Sequence, residues 1–369
     1  MNTHSSAPDR IGQGVLDDLA ERVRSFRRVP TATAGWTGGV DVDYLAALLD
    51  HWAERYDWRL HEDRIRALPW VLTGEPASPL RVVHQRSVPA SQEVVVLLHG
   101  WPDSILRYER LLPLLSDVNA IVPALPGFPF AVPVRDHGLG AEAMAHSVAA
   151  GVAELGYERY VVSGGDIGAD IAEVLAFEYP ERVAALHLTD VSQNHFRLSD
   201  DPGDLTEAES SYVEAGRRWQ AAEGGYGHEQ STKPSTLSVA LGDSPAGLAA
   251  WILEKLRSWS DCGGDVEAVF SREDVLTWIT AYWVTGCIGT SFAPYAGRTP
   301  PHERFAPPTV FSTFGEDILN APRSYAERFF DVRQFSAHAQ GGHFAAWERP
   351  AAYAADLRVA LSLGGRSRR

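Results

Sequence analysis

The chain has 369 residues, enough for two modest domains or for one large α/β domain carrying an insertion. Its 45% hydrophobic and 22% charged residues exclude wholesale disorder, because enough apolar surface is available to offset the entropy of ordering the backbone. With 48 acidic against 33 basic side chains the net charge is −15, a field that repels phosphate backbones and anionic lipid and argues against a nucleic acid or a membrane as partner.

Two cysteines, Cys262 and Cys287, lack a paired zinc spacing and allow at most one bridge, so a reducing cytoplasm is the simplest compartment. The polar first ten residues lead into an amphipathic run. Neither a signal-peptide core nor a 20-residue apolar span is expected, and the reading is a soluble protein.

From Gly14 to Arg28, apolar Val15, Leu16, Leu19, Val23 and Phe26 recur at helical spacing, and Pro30 stops the run. Tyr44 to Tyr56 predicts a second helix with a broad aromatic face. Beyond Pro69 the signature changes: Leu80–His84 and Glu93–His99 are β-rich, Ile105–Leu115 is helical, and Asn119–Val122 is a strand. A helix over Glu142–Leu155, a strand over Tyr160–Ser163, a helix over Ala169–Glu178 and a strand over Val183–Leu188 continue the alternation. Repeated βα units predict a mainly parallel sheet covered by helices on both faces.

From about Asp190 to Pro308 the pattern becomes an acidic, glycine-rich connector with helices around Ser244–Trp259 and Arg272–Thr285, too long for a plain loop. The glycine-rich stretch at 221–230 is expected to be a surface connection. Strands resume at Thr309–Phe314 and Val332–Ala337, a helix over Ala345–Arg358 closes the chain, and the basic tail from Gly364 is expected to fray. The organisation is therefore an N-terminal helical extension (1–79), a first core segment (80–190), a helical lid-like insertion (191–308) and a second core segment (309–369).

The densest chemical signal is Gly164-Gly165-Asp166-Ile167-Gly168, where a strand runs through glycines into a helix. It has the form of a nucleophile elbow with Asp166 in the place usually held by serine. The glycines two before and two after Asp166 suit a strained turn, and the helix would aim its N–H groups at the carboxylate. A helix cap or a phosphate-binding turn are the alternatives for Asp166; a dinucleotide fingerprint is not supplied.

His99-Gly100-Trp101-Pro102 ends an apolar strand, where a turn would present the Trp101 N–H beside that of Ile167 to a developing oxyanion. Without Asp166 the string reads as a structural turn. Gln340-Gly341-Gly342-His343 opens the terminal helix. Of 13 histidines, including His302 and His338, His343 alone occupies the loop from which a base would reach the elbow. The chain order of Asp166, an acid near 317 and His343 matches α/β hydrolases.

Taken together with Tyr56-Asp57-Trp58-Arg59, His84-x-Arg86-Ser87, Gly225-Tyr226-Gly-His-Glu-Gln and Gly-Gly-His343-Phe-Ala-Ala-Trp-Glu, these strings resemble the α/β-hydrolase epoxide hydrolases over roughly residues 11–356. The resemblance is to the microsomal-type branch with its N-terminal extension, and within it to soluble bacterial members. It implies an α/β-hydrolase fold with an N-terminal meander and a helical lid, Tyr226 and Tyr295 as the phenols that activate the epoxide, with Tyr282 as the alternative to Tyr295, and detoxification or natural-product tailoring as the setting. It also implies an acid after a strand: Glu316 and Asp317 compete, and Asp317, five residues before Pro322, is favoured. Two departures stand out: Ile167 where relatives often have tryptophan, and Asp103 where they often have glycine, read here as a cap for a helix starting near Ser104.

The implied chemistry is attack of Asp166 on an epoxide carbon, ring-oxygen relief by the two phenols, and hydrolysis of the ester by water that His343 deprotonates while Asp317 orients its ring. The partners are a small epoxide and water, with a homodimer left open; no metal or organic cofactor is required. Eleven tryptophans suggest a bulky, apolar or aromatic substrate. A haloalkane-dehalogenase-like hydrolase and a non-catalytic binding protein on the same scaffold are the alternatives.

Overall fold

Eight strands form one sheet in the order β1-β2-β4-β3-β5-β6-β7-β8. They are β1 (Trp70–Thr73), β2 (Leu80–Gln85), β3 (Val94–Leu98), β4 (Asn119–Pro123), β5 (Tyr160–Gly164), β6 (Val183–Leu188), β7 (Pro308–Glu316) and β8 (Asp331–Gly342). The computed structural model describes residues 6–75, 78–134, 137–197, 204–297 and 304–366. β1 pairs antiparallel with β2, and β2 with β4; every other pair is parallel. The antiparallel pairings lie at one end of the sheet, where the four-residue β1, a strand not expected from the sequence, directly follows Pro69.

Helices α1 (Gln13–Arg24), α2 (Val42–Glu54) and α3 (Trp58–Arg66) precede the sheet. Asp41 and Asp57 cap α2 and α3, each accepting backbone N–H groups of the first turn. The first helix stops at Arg24, short of the expected Arg28, with Arg22 and Arg24 in its last turn. Helices α4 (Ala141–Glu154) and α5 (Ile167–Glu178) lie between strands. The expected helix over 105–115 is instead two 3-10 turns, Ile105–Tyr108 and Leu112–Leu115, the second holding Pro113 in its first turn.

The insertion contains α6 (Asn194–Arg197), α7 (Glu207–Glu223), α8 (Gly225–Thr232), α9 (Pro234–Asp243), α10 (Pro245–Ser258), α11 (Arg272–Thr285) and α12 (Ala293–Ala296). The glycine-rich 221–230 stretch is therefore the end of α7 and most of α8 rather than a connection, although half of its residues are exposed. Its start was legible: Thr206 and Glu209 form a reciprocal capping box at α7.

After β7 come α13 (Arg323–Glu327), β8, α14 (Ala345–Glu348) and α15 (Pro350–Arg366). The single helix expected from Ala345 breaks at Arg349, because Pro350 disfavours a helical residue before it. α15 continues to Arg366, so residues 364–366 are helical and only 367–369 of the expected frayed tail lie outside the described residues.

Strands β3, β4, β5 and β6 are buried at every residue, as strands covered on both faces must be. Side-chain alternation along β5 shows the two covers. Ser163 Oγ meets Tyr353 Oη of α15 at 2.7 Å, while a side chain on neighbouring Gly164 would come 2.6 Å from the Gly168 carbonyl of α5. Parallel strands with helices on both faces leave the carboxyl ends of β3, β5, β6, β7 and β8 along one rim, and the candidate site lies there. Among the described residues no single helix is long and apolar enough to cross a membrane.

Candidate active site

Asp166 sits between β5 and α5 with φ 56° and ψ −134°, a conformation that costs a non-glycine residue about 1–3 kcal/mol. The turn is possible because its neighbours lack side chains: a Cβ on Gly168 would lie 2.3 Å from the Leu98 carbonyl oxygen, and one on Gly100 would lie 2.4 Å from Asp166 Oδ1. The Asp166 carboxylate makes no capping bond to α5. Its Oδ1 instead accepts the Trp101 N–H at 2.9 Å. The Ile167 N–H, expected as a second donor, is at the first position of α5, beside the same carboxylate.

His343 follows β8. Its backbone N–H donates to the Trp259 carbonyl at 2.8 Å, its Nδ1 lies 2.9 Å from Asp317 Oδ1, and its Nε2 faces Asp166 Oδ2 at 3.7 Å. Asp317 Oδ1 also accepts the Ile318 N–H at 2.7 Å. Glu316, the competing acid, is exposed. Burial works against a charged imidazole, yet the carboxylates of Asp317 and Asp166 outweigh it and raise the His343 pKa above its usual value. His338 pairs with Asp356 at 2.7 Å, outside the cleft, and His302 lies outside the described residues.

Asp103 does not cap the following turn; Ser104 does, accepting the Leu106 N–H. The Asp103 carboxylate is fully buried, accepts the Gly100 N–H at 3.0 Å and pairs with Arg107 at 2.6 Å. Arg107 also donates to the His343 carbonyl. One buried ion pair thus joins the loop that carries the Trp101 donor to the loop that carries the imidazole.

Tyr226 of α8 and Tyr295 of α12 reach the same place from the insertion. The Tyr226 ring stacks on Trp101 at 5.4 Å, and Tyr295 meets Trp101 edge-on at 6.0 Å and Tyr226 at 5.9 Å. Burial and the Asp166 charge push the Tyr226 phenol up; burial, Tyr226 and Asp166 do the same to Tyr295. Both remain protonated donors. Tyr282 points elsewhere, donating to the Asp103 carbonyl at 2.9 Å.

Of the buried polar atoms on cleft-lining residues, two have no hydrogen-bond partner among the described residues: Tyr295 Oη and His343 Nε2. Both residues line one cleft with Asp166, Tyr226 and Asp317, and the cleft encloses roughly 1070 Å³, its open mouth included. Among the described residues its aromatic lining is Tyr226 and Tyr295, with no tryptophan. Trp278 and Trp347 pack on Phe270 and Phe344, and Trp259 backs Tyr226 and His343.

Sequence reasoning passed over two carboxyls of this cleft. Asp190, just past β6, accepts the Asp166 N–H at 3.1 Å; burial and the neighbouring Asp317 charge hold its pKa well above the usual range. Asp170, one helical turn beyond Asp166, is pushed up to about 7 by burial and by Glu173. The i, i+4 spacing from Asp166 and the position at a strand's carboxyl end were the signals available. A group with metal-like spacing, Glu142, His146 and Glu178, is exposed and none of the three lines the cleft.

A family model described as the epoxide hydrolase N terminus matches residues 8–108, and one described as the alpha/beta hydrolase fold matches residues 93–215. A Stigmatella aurantiaca protein provisionally named an epoxide hydrolase is 32% identical over 364 residues, spanning 94% of this chain and 82% of that one. Epoxide hydrolase 1 of Sus scrofa is 29% identical over 391 residues, spanning 94% and 86%. Aspergillus niger epoxide hydrolase matches in structure with a TM-score of 0.85 at 28% identity over 97% of each chain. Juvenile hormone epoxide hydrolase of the silkworm Bombyx mori matches at 0.86 and 26% identity over 98% and 95%. With full-length similarity joined to this rim of carboxylate, imidazole and phenols, the chain belongs to the epoxide hydrolase family and is an epoxide-hydrolysing enzyme on an α/β-hydrolase fold.

Proposed function

We propose that this enzyme converts an epoxide to a vicinal diol through an ester on Asp166, with the roles divided between the core segments (80–190 and 309–369) and the insertion (191–308). The supporting observation is the convergence on one cleft of the Asp166 carboxylate and two unpartnered polar atoms, Tyr295 Oη and His343 Nε2.

Asp166 Oδ1 is held by the Trp101 N–H, which leaves Oδ2 to attack a ring carbon. As the carbon–oxygen bond breaks, the ring oxygen takes a proton from Tyr226 or Tyr295, and the products are an ester and a β-hydroxyl. Water placed by His343 Nε2 then attacks the Asp166 carbonyl carbon and gives its proton to the imidazole, whose charge Asp317 stabilises. Oδ1 becomes the oxyanion and stays on the Trp101 donor, with the Ile167 N–H beside it. Collapse releases the diol, which takes the proton back from His343. The regenerated carboxylic acid loses a proton and the phenolate regains one from solvent. The chain's acidity and its two buried free thiols, Cys262 and Cys287, support a cytoplasmic setting.

The test is trapping. In His343→Gln, incubation with an epoxide panel should leave a mass increment equal to the epoxide on the peptide containing Asp166. In the parent, a single turnover in oxygen-18 water should give diol carrying unlabelled enzyme oxygen. Absence of any adduct together with fully labelled first-turnover diol overturns the ester route in favour of direct water attack.

A further inference from the structure

Beyond the catalytic groups, the cleft is lined by two kinds of side chain. Ile167, Ile318 and Leu319 are apolar. A polar flank comes largely from the segment after β6: Ser192, Gln193, Asn194 and Arg197, joined by Asp170 from α5 and Gln220 from α7.

These polar side chains are ordered by one another and keep capacity to spare. Asp170 Oδ1 accepts from Ser192 Oγ and, at 3.4 Å, from Asn194 Nδ2. Gln220 Nε2 donates to Gln193 Oε1 at 2.6 Å, a bond that joins α7 to the segment just after β6. What these bonds leave for a ligand is the Gln193 amide nitrogen, the Gln220 and Asn194 amide oxygens, the second Asp170 oxygen and the Arg197 guanidinium, with donors and acceptors side by side. A hydrocarbon group laid against this flank would strip water from those atoms and replace nothing.

Charge narrows the choice further. Asp166 and Asp317 line the cleft, as do Asp170 and Asp190, whose raised pKa values favour their uncharged acids, while Arg197 is exposed. An anionic substituent would face the Asp166 and Asp317 carboxylates and would hinder ionisation of the other two acids. A neutral group that both donates and accepts meets no such penalty.

Resting on the epoxide hydrolase reading, we propose that the Gln193–Gln220 pair and Asn194 form a specificity flank that selects epoxides whose skeleton carries neutral hydrogen-bonding groups, such as hydroxyl, carbonyl or amide, over purely hydrocarbon ones. Apolar Ile318 and Leu319 receive the hydrocarbon part of the same molecule. The substrate is thus amphipathic rather than wholly apolar, which revises the expectation drawn from tryptophan content.

Three probes test this: phenyl glycidyl ether, its 4-carboxamide and its 4-carboxylate, assayed for diol with the parent and with Gln193→Leu/Gln220→Leu. In the parent, kcat/KM for the carboxamide should exceed that for the unsubstituted ether by about tenfold or more, the order of one net hydrogen bond, and should exceed that for the carboxylate. In the double variant the carboxamide-to-ether ratio should fall towards one. A ratio of two probes on one preparation is blind to partial misfolding, and Asn194→Leu gives the same comparison if the double variant does not fold. Equal or better use of the unsubstituted ether by the parent, or a ratio unmoved in the folded variants, overturns the specificity flank while diol formation leaves the hydrolase reading standing. If no probe yields diol, and His343→Gln gains no adduct from any of them, the hydrolase reading fails and this proposal falls with it.

Discussion

In the core half of the site, position comes from polar contacts: Trp101 N–H on Asp166, Asp317 on His343, and the Asp103–Arg107 pair behind both loops. In the insertion half it comes from ring faces, with Tyr226 stacked on Trp101 and Tyr295 edge-on to both. The difference suits the roles proposed for the two halves. A carboxylate and an imidazole must keep one orientation and one charge, and hydrogen bonds to neighbours secure that. A phenol that must donate to charge appearing only during reaction is best left with an open hydroxyl, and aromatic packing holds the ring without occupying it.

The comparison breaks most completely at Asp166. Asp166→Ala should lower diol formation at least about 10⁴-fold, the scale for losing a nucleophile that works as part of a unit, with thermal melting showing a folded protein. Residual turnover above one hundredth of the parent would place the nucleophile elsewhere.

The insertion half is tested by Tyr226→Phe and Tyr295→Phe. Each should slow ester formation by roughly 10- to 1,000-fold, the range for losing one transition-state donor, and the double variant should nearly abolish it. Rapid-quench kinetics should show ester hydrolysis little altered. Normal diol formation by the folded double variant would remove the phenols from the mechanism.

Arg107→Met sharpens the view of the core. It leaves the fully buried Asp103 carboxylate without its ion pair, which should cost about 3–5 kcal/mol in urea unfolding, and adding Asp103→Asn should recover much of that. A single-variant loss below about 1 kcal/mol would show that the pair is not needed to hold the loops.

The smallest effect is a displacement along the pH axis. His343 must be neutral to take a proton, and its pKa is raised, so ester hydrolysis should decline as pH falls through a value above that of an ordinary imidazole. Asp317→Asn removes a charge that raises it, and the acid limb should move to lower pH. A limb that stays put would mean that the Asp317 charge does not set the imidazole's basicity.

Much of this architecture is written locally. Alternating βα patterns, Gly-Gly-Asp166-Ile-Gly and Gly-Gly-His343 need only short windows, because glycine spacing and side-chain periodicity report the turn in which they sit. The choice between Glu316 and Asp317 is different: which carboxylate turns inward depends on the chain after β7, where the Asp317 N–H folds back onto the Phe314 carbonyl at 3.0 Å. Asp103 had a visible i+4 partner in Arg107, but that the pair is buried and reaches His343 depends on a contact 236 residues away. The polar flank over 192–197 has the composition of an ordinary connector, and only its place at the carboxyl end of β6 gives it a cleft to line.

The fastening of α1 and α2 to the insertion has a consequence for the order in which the protein can be made. Arg22 meets Asp243, Tyr44 meets Glu267, His51 meets Glu273 and Tyr56 meets Thr277, all at sequence separations of 221 to 223. These N-terminal residues therefore have their partners some 220 residues further along the chain, a wait of roughly 10–45 s at a synthesis rate of about 5–20 residues per second. Over that interval Leu45, Leu48, Leu49 and Trp52, all buried in the finished protein, have no insertion to pack against. Docking of α1 and α2 on the insertion therefore waits for the insertion to be made, and until then the apolar face of α2 lacks that cover.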